Sequence, residues 1–166
     1  MSPSETIEII GENYLGHFNQ TRTTCRAILL KGDKVLLSYE TKTDQWMVPG
    51  GGVEEGETEE DAVIREVREE TGFLIKPTDK FLEIDEFYED FKYINLYFLA
   101  TINGETDRKL TPREKEVGME PRWLPVQDAI EIFSCYQDYA QTDEMRRGLY
   151  LRELTSLLKI TNHIAP

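Results

Sequence analysis

The chain is short of cysteine, histidine and long apolar runs, and each shortage removes a class of function. Only Cys25, Cys135, His17 and His163 occur among 166 residues, with no CxxC and no Cys/His spacing. A zinc centre or a Cys–His nucleophile lacks the side chains it needs. Both cysteines are therefore expected to be buried as small apolar residues, in a cytoplasmic setting that keeps thiols reduced. No apolar run reaches the ~18 residues of a membrane span; the best stretch, Tyr93 to Ile102, is short, carries Asn95 and reads as strand. The first 21 residues hold neither Lys nor Arg, so neither a secretory leader nor a transit peptide is expected there. No repeat, low-complexity tract or linker is present, so one domain over 1–166 is expected.

What the chain has in excess is negative charge. It carries 32 acidic against 19 basic side chains, a net of -13, which argues against duplex nucleic acid or an anionic membrane as partner. The composition, 39% hydrophobic with two Trp, eight Tyr and seven Phe, is that of a globular protein. A domain of this length hides roughly 68–70% of its unfolded surface and can fold alone; a homodimer remains open.

β-rich runs at Thr23–Leu30 and Lys34–Tyr39 flank Lys31-Gly32-Asp33 and read as a hairpin. Gln45–Val48 reads as a short extended piece, Phe81–Phe87 and Tyr93–Ile102 as strands, and Arg122–Leu124 as another. Val126, Ala129, Ile130 and Phe133 recur at helical spacing, as do Tyr150, Leu154, Leu157 and Leu158, placing C-terminal helices within about 126–160. Strands, a helix, more strands and then helices imply an α/β (α+β) fold, a mixed sheet with helices on its faces.

The charge is concentrated. Residues 51–73 hold nine acids against Arg65 and Arg68, netting -7, while the other 143 residues net only -6. Thr58 followed by Asp61 is a capping pattern and Gly72 a C-terminal stop, which predicts a helix over Glu59–Thr71. At about 100° per residue, Glu66, Glu69 and Glu70 share a stripe beside the buried stripe of Val63, Ile64 and Val67. A solvated acidic face would be paired with lysines a turn away, and no Lys occurs between Lys42 and Lys76. Crowding of this kind calls for a cation.

Before the helix runs Pro49-Gly50-Gly51-Gly52-Val53-Glu54-Glu55-Gly56-Glu57-Thr58, whose glycines let backbone approach a ligand. It falls short of a P-loop because Glu57 stands where lysine should touch phosphate. Phosphate can approach such acids through a divalent ion, and hard oxygen donors without His or Cys select Mg²⁺ or Mn²⁺. No EF-hand loop is present. A metal-polarised phosphorus and an activated water lead to phosphoanhydride hydrolysis.

Gly51, Glu57 and Arg65-Glu66-Val67-Arg68-Glu69-Glu70-Thr71-Gly72-Phe73 fill every fixed place of the box G-x5-E-x7-R-E-U-x-E-E-x-G-U. The chain thereby resembles the Nudix hydrolases, and Trp46 to Gly50 and Trp123-Leu124-Pro125 are further similarities. The resemblance implies a Nudix-type α/β/α sandwich and Mg²⁺- or Mn²⁺-dependent attack of water on a nucleoside diphosphate linked to a group X, a small-molecule nucleotide substrate. It also implies that Glu66 and Glu70 are the principal metal ligands, with Glu69 a further ligand or water-orienting base and the Gly50 carbonyl completing the site. Glu57 resembles the partner of Arg65, fixing loop to helix. Some members place the general base near the last strand, where Glu114, Glu116 and Glu120 lie, and Glu116 ranks first. The expected catalytic set is thus Arg65, Glu66, Glu69, Glu70 and Glu116. For substrate contact, Arg26 (or Arg22) can reach a phosphate, and Tyr88 lies near the marker tyrosine of diadenosine polyphosphate hydrolases. The alternative is a catalytically silent Nudix-like domain that senses a nucleotide; intact Arg65, Glu66, Glu69 and Glu70 favour the enzyme over it and over a purely structural acidic module.

Overall fold

The computed structural model describes residues 5–164, with side-chain surroundings through residue 162. A five-stranded mixed sheet runs in the order β1 (Thr6–Ile10), β7 (Phe73–Tyr88), β8 (Phe91–Glu105), β2 (Gln20–Ile28), β6 (Gly50–Gly52). The β1–β7 and β8–β2 pairs are parallel, the β7–β8 and β2–β6 pairs antiparallel. In a second sheet β4 (Lys34–Glu40) is flanked on one side by β3 (Leu30–Lys31) and β5 (Gln45–Met47), and on the other by β9 (Met119–Pro125). The helices are α1 (Glu59–Thr71), α2 (Pro112–Glu116), α3 (Val126–Ser134) and α4 (Glu144–Ile164), with a 3₁₀ turn at Cys135–Tyr139 before the last.

Alternation along the strands divides the interior in two. Cys25, Ala27, Leu36, Leu96 and Phe98 pack with Ala62, Val63 and Val67 of α1. Ile28, Val35, Leu37, Leu82, Ile84 and Tyr97 point the other way, to Ala129 and Phe133 of α3 and Tyr150, Leu157 and Ile160 of α4. Strands covered on both faces become continuously buried, as Cys25 to Leu29 are. The result is the expected sandwich of helices about a mixed sheet.

Local signals fixed α1. Thr58 accepts the Asp61 amide at 3.1 Å, and Gly72, at φ 79°, returns its N–H to Arg68 O at the other end. Longer-range pairing overrode several expectations. The hairpin survives only at its tip, Leu30–Lys31 against Lys34–Val35, because β2 finds its partners in β8 and β6. Strand β7 starts eight residues before Phe81; Pro77, which argues against strand by sequence, is accommodated by register shifts around it. Unanticipated are β1, β6 and α2, the second of them a glycine triplet with no strand propensity of its own. Two burial expectations fail: Cys135 is exposed while Cys25 is buried, and Leu158 faces solvent although Leu157 is buried. Among the described residues no helix is long and apolar enough to cross a membrane.

Candidate active site

The glycine strand β6 is pinned by its neighbours. Pairing to β2 sets Gly50, Gly51 and Gly52 opposite Arg26, Cys25 and Thr24. In the segment that leads into the strand, Glu153 of α4 accepts the Val48 amide at 2.5 Å, and the Tyr150 hydroxyl accepts that of Trp46 at 3.2 Å. A Cβ on Gly50 would lie 2.1 Å from the Cys25 carbonyl oxygen, and one on Gly51 would lie 2.5 Å from the Glu66 carboxylate. Side chains are therefore barred where the strand meets α1, and the cleared space belongs to carboxylates.

Glu66 and Glu70, one helical turn apart, face that space. Glu70 is 4% exposed; its Oε2 accepts from the Ser38 hydroxyl and the Gly50 amide, each at 3.2 Å. Burial pushes its carboxyl up to about 8, with nearby Arg26 opposing and Glu114 and Glu66 adding to the rise. Glu66 is also raised, mainly by burial, against the pull of Arg65. Arg65 holds the loop to the helix: Nε and NH2 donate to the two Glu57 oxygens at 2.7 and 2.9 Å, NH2 also to Gly52 O at 3.0 Å, and NH1 to Glu66 Oε1 at 2.8 Å. The forked bond brings Glu57 down to about 2.

Glu66, Glu70 and the Gly50–Gly52 strand line a cleft of about 610 Å³ between α1, β2, β6, α2 and the start of α4. Of the residues expected at the site, Gly50, Glu66, Glu70, Arg26 and its alternative Arg22 line it. Arg65 and Glu69 stand behind: Glu69 lies 3.4 Å from Arg65 NH1 and does not reach the lining. Glu116, ranked first in its region, is exposed at the end of α2 and outside the cleft, whereas Glu114 lines it. The reason is the helix start. Thr111 caps α2 with Pro112 at its first turn, and Glu114 Oε1 accepts the Thr111 amide at 2.8 Å, so the reciprocal cap turns Glu114 inward. Thr-Pro-x-Glu is a readable helix start and could have revealed this. Tyr88 is also misplaced as a substrate contact. It is 3% exposed, donates to Glu86 Oε2 at 2.6 Å and packs against Gly11 and Gly148, away from the cleft. Sequence reasoning missed Thr24, Glu86, Asn95, Arg146 and Arg152, which also line the cleft.

A NUDIX domain family model matches residues 20–145, three quarters of the chain. This protein belongs to the NUDIX family. Among curated relatives, the mouse (Mus musculus) diphosphoinositol polyphosphate phosphohydrolase 3-alpha is 33% identical over 106 residues, which is 63% of this chain and 63% of that protein. The uncharacterized Nudix hydrolase YvcI of Bacillus subtilis is 48% identical over 59 residues, 35% of this chain and 36% of that protein. The match thus spans a little under two thirds of the mouse relative's length. Among solved structures, a NUDIX hydrolase from Nitrosomonas europaea superposes with TM-score 0.56 at 23% identity, covering 79% of this chain and 88% of that one. A UDP-X diphosphatase gives 0.57 at 16% identity over 86% and 64%. Both likenesses show the NUDIX fold.

Among the described residues no three His, Cys, Asp or Glu side chains converge into a ready-made metal cage. The donor set nevertheless fits a hard divalent cation. Glu66 and Glu70 present carboxylates from one helix, Gly51 leaves room beside Glu66, and the cleft is open to further ligands. Mg²⁺ is commonly held in this way, by one or two carboxylates with water and substrate phosphate oxygens.

Proposed function

We propose that this NUDIX protein hydrolyses a phosphoanhydride bond in a nucleoside diphosphate derivative, using Mg²⁺ or Mn²⁺ held by Glu66 and Glu70. One observation carries the reading: both carboxylates, a helical turn apart, line the same cleft as the Gly50–Gly52 backbone and the Arg26 guanidinium. When bound, the ion would supply charge neutralisation at phosphate oxygens and lower the pKa of a coordinated water.

The chain's own groups divide the remaining work. Arg65 and Glu57 fix the glycine strand against α1, so the Glu66 carboxylate and the strand backbone keep their relative positions. Arg26, with NH1 on the Val48 carbonyl at 3.0 Å, offers a guanidinium to the substrate phosphates. Glu114 takes the general-base role first assigned to Glu116: Oε1 is held by the Thr111 amide, leaving Oε2 to accept the proton of the attacking water. Glu69, beside Arg65, supports the position of that arginine.

The test is ³¹P NMR of nucleoside diphosphate derivatives and a diphosphoinositol polyphosphate, the last chosen from the mouse relative's name, incubated with and without Mg²⁺. Metal-dependent cleavage of at least one compound, lost in Glu70→Gln, is the expected result. Metal-independent turnover, or full activity in Glu70→Gln, overturns it. Nucleotide binding without any turnover makes the protein a sensor instead.

A further inference from the structure

The family match ends at residue 145, yet α4 beyond that point delivers two arginines to the cleft. Arg152 is 5% exposed. Its NH1 donates to Glu86 Oε1 at 2.8 Å and Asn95 Oδ1 at 3.2 Å, its Nε donates to Glu153 Oε1 at 3.1 Å, and its NH2 is buried with no partner. Arg146 lies over the Tyr139 ring, its guanidinium carbon 4.6 Å from the centroid, and its NH2 donates to the Asp44 carbonyl and the Tyr150 hydroxyl. Its Nε is buried and unpaired, as is Nε of Arg26, which lines the same cleft. Among the described residues four buried side-chain nitrogens or oxygens lack a partner, and three of them are guanidinium nitrogens of residues lining this one cleft. Unsatisfied donors closed off from water are costly, and the three arginines that carry them all line one cleft, which gives it positive charge for an anionic acceptor.

A self-contained ion-pair network does not account for this. The carboxylates beside Arg152 are each shared among three donors: Glu86 accepts from Asn95 and Tyr88 as well as Arg152, and Glu153 from Tyr97 and the Val48 amide as well as Arg152. They hold the guanidinium in place and leave NH2 over. The anchor Asn95 accepts from the Thr24 hydroxyl at 2.7 Å, and Thr24 is two residues from Arg26 on β2, a step of about 7 Å. Arg26 and Arg152 thus line the same cleft, linked through Thr24 and Asn95.

We propose that Arg146 and Arg152, with Arg26 shared, form a phosphate subsite for a group other than those flanking the cleaved anhydride, so that the preferred substrate carries an additional phosphate. The substrate assignment rests on the hydrolase reading above; the subsite itself does not. Guanidinium forks match phosphate oxygens in pairs, which a lysine cannot do.

The test is calorimetric titration of tripolyphosphate, and separately of inorganic phosphate, in EDTA so that the carboxylates hold no ion. Wild-type protein, Arg146→Gln, Arg152→Lys and Glu70→Gln are compared, with melting curves to confirm folding. The expected result is tripolyphosphate binding weakened at least tenfold in Arg146→Gln and Arg152→Lys but retained in Glu70→Gln. Arg146 is half-exposed, so its variant remains informative if Arg152→Lys does not fold. Tripolyphosphate should also bind at least tenfold tighter than inorganic phosphate; equal affinities would mark a site for free phosphate and overturn the substrate assignment. No binding to the wild type, or unchanged binding in folded Arg146→Gln, overturns the subsite. Binding that depends on the arginines without any hydrolysis would sink the enzyme reading and leave the subsite standing.

Discussion

Replacing Glu70 by Gln should stabilise the metal-free protein, and increasingly so as pH rises. Burial places the folded-state carboxyl at about 8 against an ordinary value of 4.5. An acid raised in this way keeps its proton on folding, so its contribution to stability is complete below 4.5 and is lost as pH rises through the window up to about 8. At pH 7, about 2.5 pH units above the unfolded value, the loss amounts to about 3 kcal/mol, since each unit is worth about 1.4 kcal/mol. Glutamine keeps a carbonyl oxygen for Ser38 and Gly50 and has nothing to titrate. In a chain of this length that difference is a shift on the order of 10 °C in melting temperature. The assay is thermal melting of wild type and Glu70→Gln in EDTA at pH 5 and pH 8. The variant should gain several degrees on the wild type at pH 8 relative to pH 5. A difference that stays constant between the two pH values would show Glu70 ionised throughout, and the burial argument would be wrong.

Three other outcomes follow from the same geometry. Gly51→Ala puts a methyl where the Glu66 carboxylate now sits, 2.5 Å away, and should lower the hydrolysis rate at least tenfold while costing about 1–3 kcal/mol in urea melts. Glu114→Gln should lower kcat by about 10²-fold or more, whereas Glu116→Gln, outside the cleft, should leave it within about twofold of wild type; the reverse order would return the base role to Glu116. Arg65→Lys removes the fork that holds Glu57 near 2, a contribution present above pH 4.5 and lost as pH falls towards about 2. Acid titration of the variant should show unfolding at higher pH than wild type, with a stability loss on the order of 1 kcal/mol at neutral pH.

How far the sequence could be read depended on how local each determinant is. Thr58 and Gly72 bound α1 with groups inside or beside the helix, so its limits and the shared face of Glu66 and Glu70 were legible. The Glu57–Arg65 pair, implied by the resemblance of that stretch to the Nudix box, is present as a forked bond. Glu69 shares the acidic stripe on a helical wheel, but a wheel carries no information about Arg65, which draws that carboxylate back from the cleft. Tyr88 and Glu114 depended on register and on a cap. Strand β7 turns Tyr88 towards α4, where Gly148 leaves room for its ring, and α2 turns Glu114 inward while Glu116 faces out. Arg152 was invisible for a different reason. Its partners Glu86 and Asn95 are 66 and 57 residues away, and nothing near it in the chain distinguishes it from a surface arginine. The first half of β7, Phe73 to Lys80, likewise emerges only through its pairing with β8.

The central claim is that Glu66 and Glu70 together hold a divalent ion, and Mn²⁺ titration followed by the electron paramagnetic resonance of the free ion tests it most directly. The wild type should take up Mn²⁺ at neutral pH with release of a proton from Glu70, and Glu66→Gln and Glu70→Gln should each weaken uptake at least tenfold. Equal uptake by all three proteins, or none by the wild type, would contradict the account.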